Sequence, residues 1–287
     1  MPGTGTERAS RTPLGLPLRR PAPPLAPYVT GMTGYDMAGV DVVHHGVPSP
    51  ELTFILAIGR PLSVGWSADR SRSRDFSGMV SGLHDAPAFI FPTAGHAGVQ
   101  LGLTPLGARA LFGLPAGAMA AGIVGLDELW GPVADDLLGR LEDGDGWADR
   151  FDRIEAALIA RLAPESAIRP ELAWAWRRIV HGGVTATGGL ADEIGWSRGY
   201  FARLFATEFG LRPKETARVA RFTRARAAAA RPGTGLAAVA AAHGYADQAH
   251  LTREWRRLAG CTPTDWRAEM STFVQDDADG TGAEWSS

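Results

Sequence analysis

A duplication in the last third of the chain constrains its fold more than any other feature. Leu190 to Pro213 (LADEIGWSRGYFARLFATEFGLRP) and Val239 to Pro263 (VAAAHGYADQAHLTREWRRLAGCTP) align along their length. Ala191/Ala240 and Gly195/Gly244 lie 49 residues apart. Ser197/Asp247, Phe201/Leu251, Arg203/Arg253, Phe205/Trp255, Gly210/Gly260 and Pro213/Pro263 lie 50 apart, so the second copy carries one extra residue in its turn.

This spacing suits a helix-turn-helix. A small residue lets the first helix lie close to the second. Glycine four residues on takes the left-handed conformation that ends the first helix, and Ser197 or Asp247 caps the next. On that second helix Phe201, Leu204, Phe205, Glu208 and Phe209, or Leu251, Trp255 and Leu258, recur on one side and predict the core. At about 100° per residue, Gly199, Ala202, Arg203 and Ala206, or Ala249, Thr252, Arg253 and Arg256, fall opposite and predict a face free to enter a groove. Between the copies, Pro213 to Arg231 opens with proline at a helix start, is rich in alanine and stops at Pro232-Gly233. It predicts one continuous helix about 28 Å long, close to the roughly 34 Å of one DNA turn. Arg218, Arg221 and Arg224 recur along it, either as solvated side chains or as phosphate contacts.

The charge is divided in a matching way. Residues 170–270 hold 15 Lys and Arg against 9 Asp and Glu, while the rest of the chain holds 14 against 22. A basic block of this kind suits a polyanionic partner, and the acidic remainder implies a separate task. A single cysteine, Cys261, excludes an internal disulfide, a multi-cysteine zinc site and a CxxC pair. The length suits two domains, and no apolar run is long enough for a membrane helix, so a cytoplasmic protein is expected.

The N-terminal part has a different texture. Glu51–Gly59, Leu62–Trp66, Asp75–Leu83, Ala88–Phe91 and Ala97–Leu103 predict short strands of a small sandwich or barrel. Leu126–Leu141, Trp147–Leu162 and Glu171–Val180 predict helices that pack on the sheet or on a second subunit. The expected fold class is α+β. It comprises a disordered leader over 1–24, a β-rich domain with a helical connector over 25–165, an all-helical domain of two helix-turn-helix units over 166–270, and a disordered tail over 271–287.

The region Pro170 to Glu269 resembles the AraC/XylS family of transcription regulators. Gly244 to Arg267 (GYADQAHLTREWRRLAGCTPTDWR) is similar to that family's signature: Gly-aromatic, Asp, apolar-x-Arg-x-aromatic, then Gly-x-x-Pro-x-x-aromatic-Arg. The resemblance implies a sequence-specific regulator that reads two adjacent major-groove segments of double-stranded DNA. It places base readout at Gly199, Ala202, Arg203, Gln248, Ala249, His250 and Arg253, and phosphate contacts at Ser197, Arg198, Arg256 and Arg257. The structural alternative for Arg203 and Arg253 is a solvent-facing or internally paired side chain. Gly199, Ala202 and Ala206 offer no hydrogen bonds, so the first helix relies on Arg203, thymine methyl contact and DNA shape.

In that family the other domain commonly senses an effector, dimerises or both, often on a cupin-like barrel. The expected partners are therefore DNA, a small-molecule effector, a second copy of the chain and RNA polymerase, with no cofactor. A barrel mouth is the default effector site, with Trp66, Phe76, His84 and Gln100, and also Phe89, as candidate lining. His44, His45, His84 and His96 lack the His-x-His spacing of a cupin metal site, since adjacent histidines on a strand point to opposite faces. No metal is expected. The alternative function is a cupin-like metabolite-binding or metal-dependent enzyme with an accessory DNA-binding module; no catalytic set supports it.

Overall fold

The computed structural model describes residues 10–11, 16–36, 43–92, 96–163, 167–184 and 186–268. Its N-terminal strands are β1 (Ser10–Arg11), β2 (Pro17–Arg19), β3 (Val29–Asp36), β4 (His44–Gly46), β5 (Leu52–Gly59), β6 (Leu62–Gly65), β7 (Arg74–Phe76), β8 (Gly78–Ser81), β9 (Ala88–Phe91), β10 (His96–Leu103) and β11 (Ile123–Gly125). They form one sheet in the order β1-β2-β3-β10-β5-β8-β11 and a smaller one in the order β4-β9-β6-β7, with antiparallel pairings throughout. Ile55, Leu62, Val64, Phe76 and Met79 pack together in a core shared by the two sheets.

The helices are α1 (Pro105–Phe112), α2 (Leu126–Trp130), α3 (Pro132–Glu142), α4 (Gly146–Arg161), α5 (Pro170–Val180), α6 (Gly188–Glu193), α7 (Arg198–Phe209), α8 (Pro213–Ala229), α9 (Leu236–Ala242) and α10 (Gln248–Ala259). The long β5 alternates so that Phe54, Leu56 and Ile58 join Leu101 and Leu103 of β10 against the helical layer. This core continues without a break through Trp130, Phe151 and Trp176 to Phe201, Phe205 and Phe209 of α7. The second helix-turn-helix has its own core of Phe222, Leu251, Trp255, Leu258 and Trp266. Among the described residues no helix is long and apolar enough to cross a membrane.

The predicted helix over Leu126–Leu141 is two helices, because Pro132 has no backbone N–H to donate and restricts the residue before it. The predicted strand Asp75–Leu83 is likewise two strands, β7 in the small sheet and β8 in the large one. Helix α1 and strands β2, β3, β4 and β11 lack the alternation or period that would announce them.

The disordered leader is corrected in part. Within it, Leu18 pairs with Thr33 and Arg19 with Met32. The Arg19 guanidinium donates to Asp152 at 2.5 Å and Glu155 at 3.0 Å, and the Ala22 N–H donates to Glu155 at 2.6 Å. Backbone pairing and a buried carboxylate on α4 order a stretch whose proline-rich composition argues against order. The predicted tail lies outside the described residues.

Candidate nucleic-acid interface

The two helix-turn-helix units form as the spacing requires. Gly195 and Gly244 both have φ of 73°, a conformation that side chains rarely adopt, and they end α6 and the turn after α9. Ser197 Oγ accepts from the Tyr200 N–H at 3.3 Å and Asp247 Oδ1 from the His250 N–H at 2.6 Å, so each reading helix is capped by its own turn. Phe201, Phe205 and Phe209 point inward from α7, as Leu251, Trp255 and Leu258 do from α10. The buried side then fixes what is left outside.

Arg203 and Arg253 are both exposed, at equivalent positions on α7 and α10. The Arg203 guanidinium lies 5.5 Å over the Tyr200 ring, which orients it without removing it from solvent. Gly199, Gln248 and Ala249 are exposed and Ala202 is half-buried. His250 is turned toward its own module: Nδ1 accepts from the Ala246 N–H at 3.3 Å and the ring packs edge-on to Tyr245. Ser197 is spent in part as a cap. Arg198 makes an exposed ion pair with Asp192 at 3.4 Å, of little energy in water, and Arg256 is exposed. Arg257 donates to Asp85 Oδ2, in the loop between β8 and β9, at 2.7 Å.

In this structure each of the linker arginines Arg218, Arg221 and Arg224 is engaged by a neighbour within the protein. Arg221 donates through Nε to Glu254 Oε1 at 3.2 Å and forms a second bond to Oε2, while the Tyr245 hydroxyl donates to Oε1 at 2.9 Å. Against desolvation, the Glu254 hydrogen bond and charge raise the Arg221 pKa, and burial together with Glu254 pushes the Tyr245 phenol up. Arg224 donates to the Val180 carbonyl at 3.1 Å, and Arg218 lies 3.5 Å from Asp85. A three-residue repeat turns these cations around the helix, so each meets a different neighbour: α10, the end of α5 and the N-terminal sheets.

The N-terminal domain grips both units. Arg109 of α1 donates through Nε and Nη2 to the two oxygens of buried Glu208 on α7, each at 2.7 Å. The turn Ala116–Met119 packs on the end of α7, where a Cβ on Gly117 would strike the Thr207 carbonyl. At the other unit Val47 packs on the second core, and His45 and Pro87 crowd Gly260. Neither Arg109 with Glu208 nor Asp85 with Arg257 carries a sequence signal, since the partners lie 99 and 172 residues apart.

The candidate effector residues are divided by the fold. Gln100 lines a polar cavity of about 270 Å³ with Thr30, Thr33, Ser49, Glu51 and Thr53. Trp66 and His84 instead pack on each other with ring centroids 4.9 Å apart, Phe89 packs on His45, and Phe76 belongs to the core between the sheets. Among the histidines, His96 Nε2 is 3.0 Å from the Tyr35 hydroxyl and His84 Nδ1 is 2.5 Å from the Ala86 carbonyl. His44 is pushed down to about 4 by desolvation, with the charges of His45 and Arg226 adding to it. Burial also lowers Arg226 of α8, against the attraction of Glu51 on the cavity wall.

A family model described as a helix-turn-helix domain matches residues 190–269. An apo single-substitution variant of ToxT from Vibrio cholerae strain SCE256 has the same fold with a TM-score of 0.54 at 9% identity, covering 88% of this chain and 100% of that one. ToxT from Vibrio cholerae O395 bound to (E)-4-(8-methylnaphthalen-1-yl)but-3-enoic acid gives 0.50 at 9% identity, covering 83% and 98%. A 1.65 Å resolution ToxT structure from Vibrio cholerae gives 0.50 at 10%, covering 83% and 97%. A search of curated protein sequences finds no match.

Proposed function

We propose that this chain is a DNA-binding transcriptional regulator of the AraC/XylS type that reads two adjacent major-groove segments of one operator, α7 entering the first and α10 the second; the helix-turn-helix match over residues 190–269 and the shared fold support this reading. Residues 166–270 carry this task and residues 25–165 control it. The matched exposure of Arg203 and Arg253 carries the reading: each helix buries its apolar side and leaves one guanidinium where base edges would lie. Each forks onto guanine O6 and N7, while Arg198 and Arg256 hold flanking phosphates. Replacing either reading arginine by alanine should cost about 1–3 kcal/mol on the operator and relax selection at one base pair, a different one for each helix. Binding to base-substituted operators measures this. Unchanged selection in Arg203→Ala with Arg253→Ala would sink the assignment.

The effector of the N-terminal domain is, on this reading, a small polar molecule seated against Glu51 and Gln100. The hydroxyls of Thr30, Thr33, Ser49 and Thr53 favour a ligand rich in hydrogen-bonding groups, with a donor or positive charge toward Glu51. This differs from the apolar acid bound by ToxT. Glu51 also attracts Arg226 of the linker helix, against the burial that lowers it. In a melting screen of polyols and amino sugars, a ligand at 100 times its dissociation constant should add about 2.7 kcal/mol, and Glu51→Gln should abolish the gain. A ligand that stabilises wild type and Glu51→Gln equally lies elsewhere.

A further inference from the structure

Two cations of the DNA-binding part converge on one carboxylate of the N-terminal domain. Asp85 Oδ2 accepts from Arg257 Nη2 at 2.7 Å and lies 3.5 Å from Arg218 Nη1. The side chain of Arg218 is mostly buried, and its Nη1 has no hydrogen-bond partner, so the carboxylate neutralises it without satisfying it. Arg257 lies four residues beyond Arg253, on the same side of α10 and about 6 Å further along its axis. The paired guanidiniums therefore adjoin a base-reading position, between the linker helix and the second reading helix.

We propose that Arg218 and Arg257 form a seat for one DNA backbone phosphate, and that Asp85 occupies that seat in the DNA-free chain. The proposal rests on the DNA-binding reading above. A phosphodiester has two non-bridging oxygens, each able to accept from a separate guanidinium, and so meets the donor that one carboxylate oxygen leaves unmet. Asp85 is held in place for this contact. His84 donates to the Ala86 carbonyl and packs on Trp66, and Pro87 closes against Gly260. DNA and the N-terminal domain then compete for the same two cations, and a change that withdraws the β8–β9 loop raises DNA affinity.

The test compares full-length wild type, Asp85→Asn, the double variant Arg218→Gln/Arg257→Gln, and the triple variant, each on operator and random duplexes across salt. Asp85→Asn should bind both duplexes about fivefold or more tightly. The double variant should lose affinity on both, with its salt slope falling by about 0.9 for the one phosphate the pair holds, and adding Asp85→Asn to it should change nothing. Melting curves establish that each variant folds; Asp85→Ser serves if Asp85→Asn does not. A lower melting temperature in Asp85→Asn with unchanged DNA affinity overturns the proposal and makes Asp85 a simple clamp. Equal gains from Asp85→Asn with and without the two arginines also overturn it. Wild type that does not prefer operator over random DNA refutes the sequence-reading function instead, whereas clear preference with no Asp85 effect refutes only the seat.

Discussion

Trp255→Ala should unfold the second helix-turn-helix and leave the rest of the molecule standing. Trp255 is fully buried and packs against Phe222 at 5.1 Å and Trp266 at 5.4 Å between ring centroids. Removing so large a side chain costs about 3–5 kcal/mol, because the lost burial adds to the cavity left behind. That core is built from α8, α9, the turn before α10, α10 and the segment after it, with Val47 packed on its edge, and is separate from the one that joins α7 to the N-terminal sheet. Amide hydrogen exchange should accelerate over 236–268 and change little over 198–209. A footprint on the operator should lose one of two contact blocks about one helical turn apart. Uniform acceleration across both units would show that the two cores melt as one.

The second large effect is expected at the other grip. Arg109→Ala should destabilise the protein by about 3–5 kcal/mol, since it leaves the Glu208 carboxylate buried without its two donors. Glu208 faces inward on α7 with its side chain 8% exposed, a position that the apolar neighbours Phe205 and Phe209 would otherwise fill. Replacing both partners by leucine should recover most of the loss, because no uncompensated charge remains. Denaturant unfolding of the two single variants and the pair reads the coupling. If Arg109→Ala costs under about 1 kcal/mol, water reaches Glu208 and the bond does not fasten α7 to the N-terminal domain.

The parts legible beforehand share one property: their residues act on near neighbours. The left-handed glycines, the caps at Ser197 and Asp247, and the inward Phe201, Phe205, Leu251 and Trp255 all work within a few turns of chain, so spacing alone exposes them. Strands Ala88–Phe91 and Leu62–Gly65 were equally plain, since apolar runs between turn residues mark them. Strand Val29–Asp36 carries no such mark, because glycine and threonine dilute its alternation (VTGMTGYD), and its place beside β10 supplies what its own sequence lacks. The candidate effector lining was dispersed for a related reason. An aromatic residue carries the same signature whether it lines a pocket, as at a barrel mouth, or fills a core, as Phe76 does.

The chain's local order therefore determined two helix-turn-helix units, a rigid helix between them, and a matched outward arginine, Arg203 or Arg253, on each reading helix. Tertiary structure decided where the remaining cations go. Arg218 and Arg257 meet at Asp85, Arg221 is held by Glu254, and Arg109 fastens Glu208. Helical period fixes the direction in which a guanidinium leaves its helix. Its acceptor is fixed only when sheets and helices bring a distant carboxylate within hydrogen-bonding reach, because charge attraction at a few ångströms depends on position in space and leaves no periodic trace along the chain.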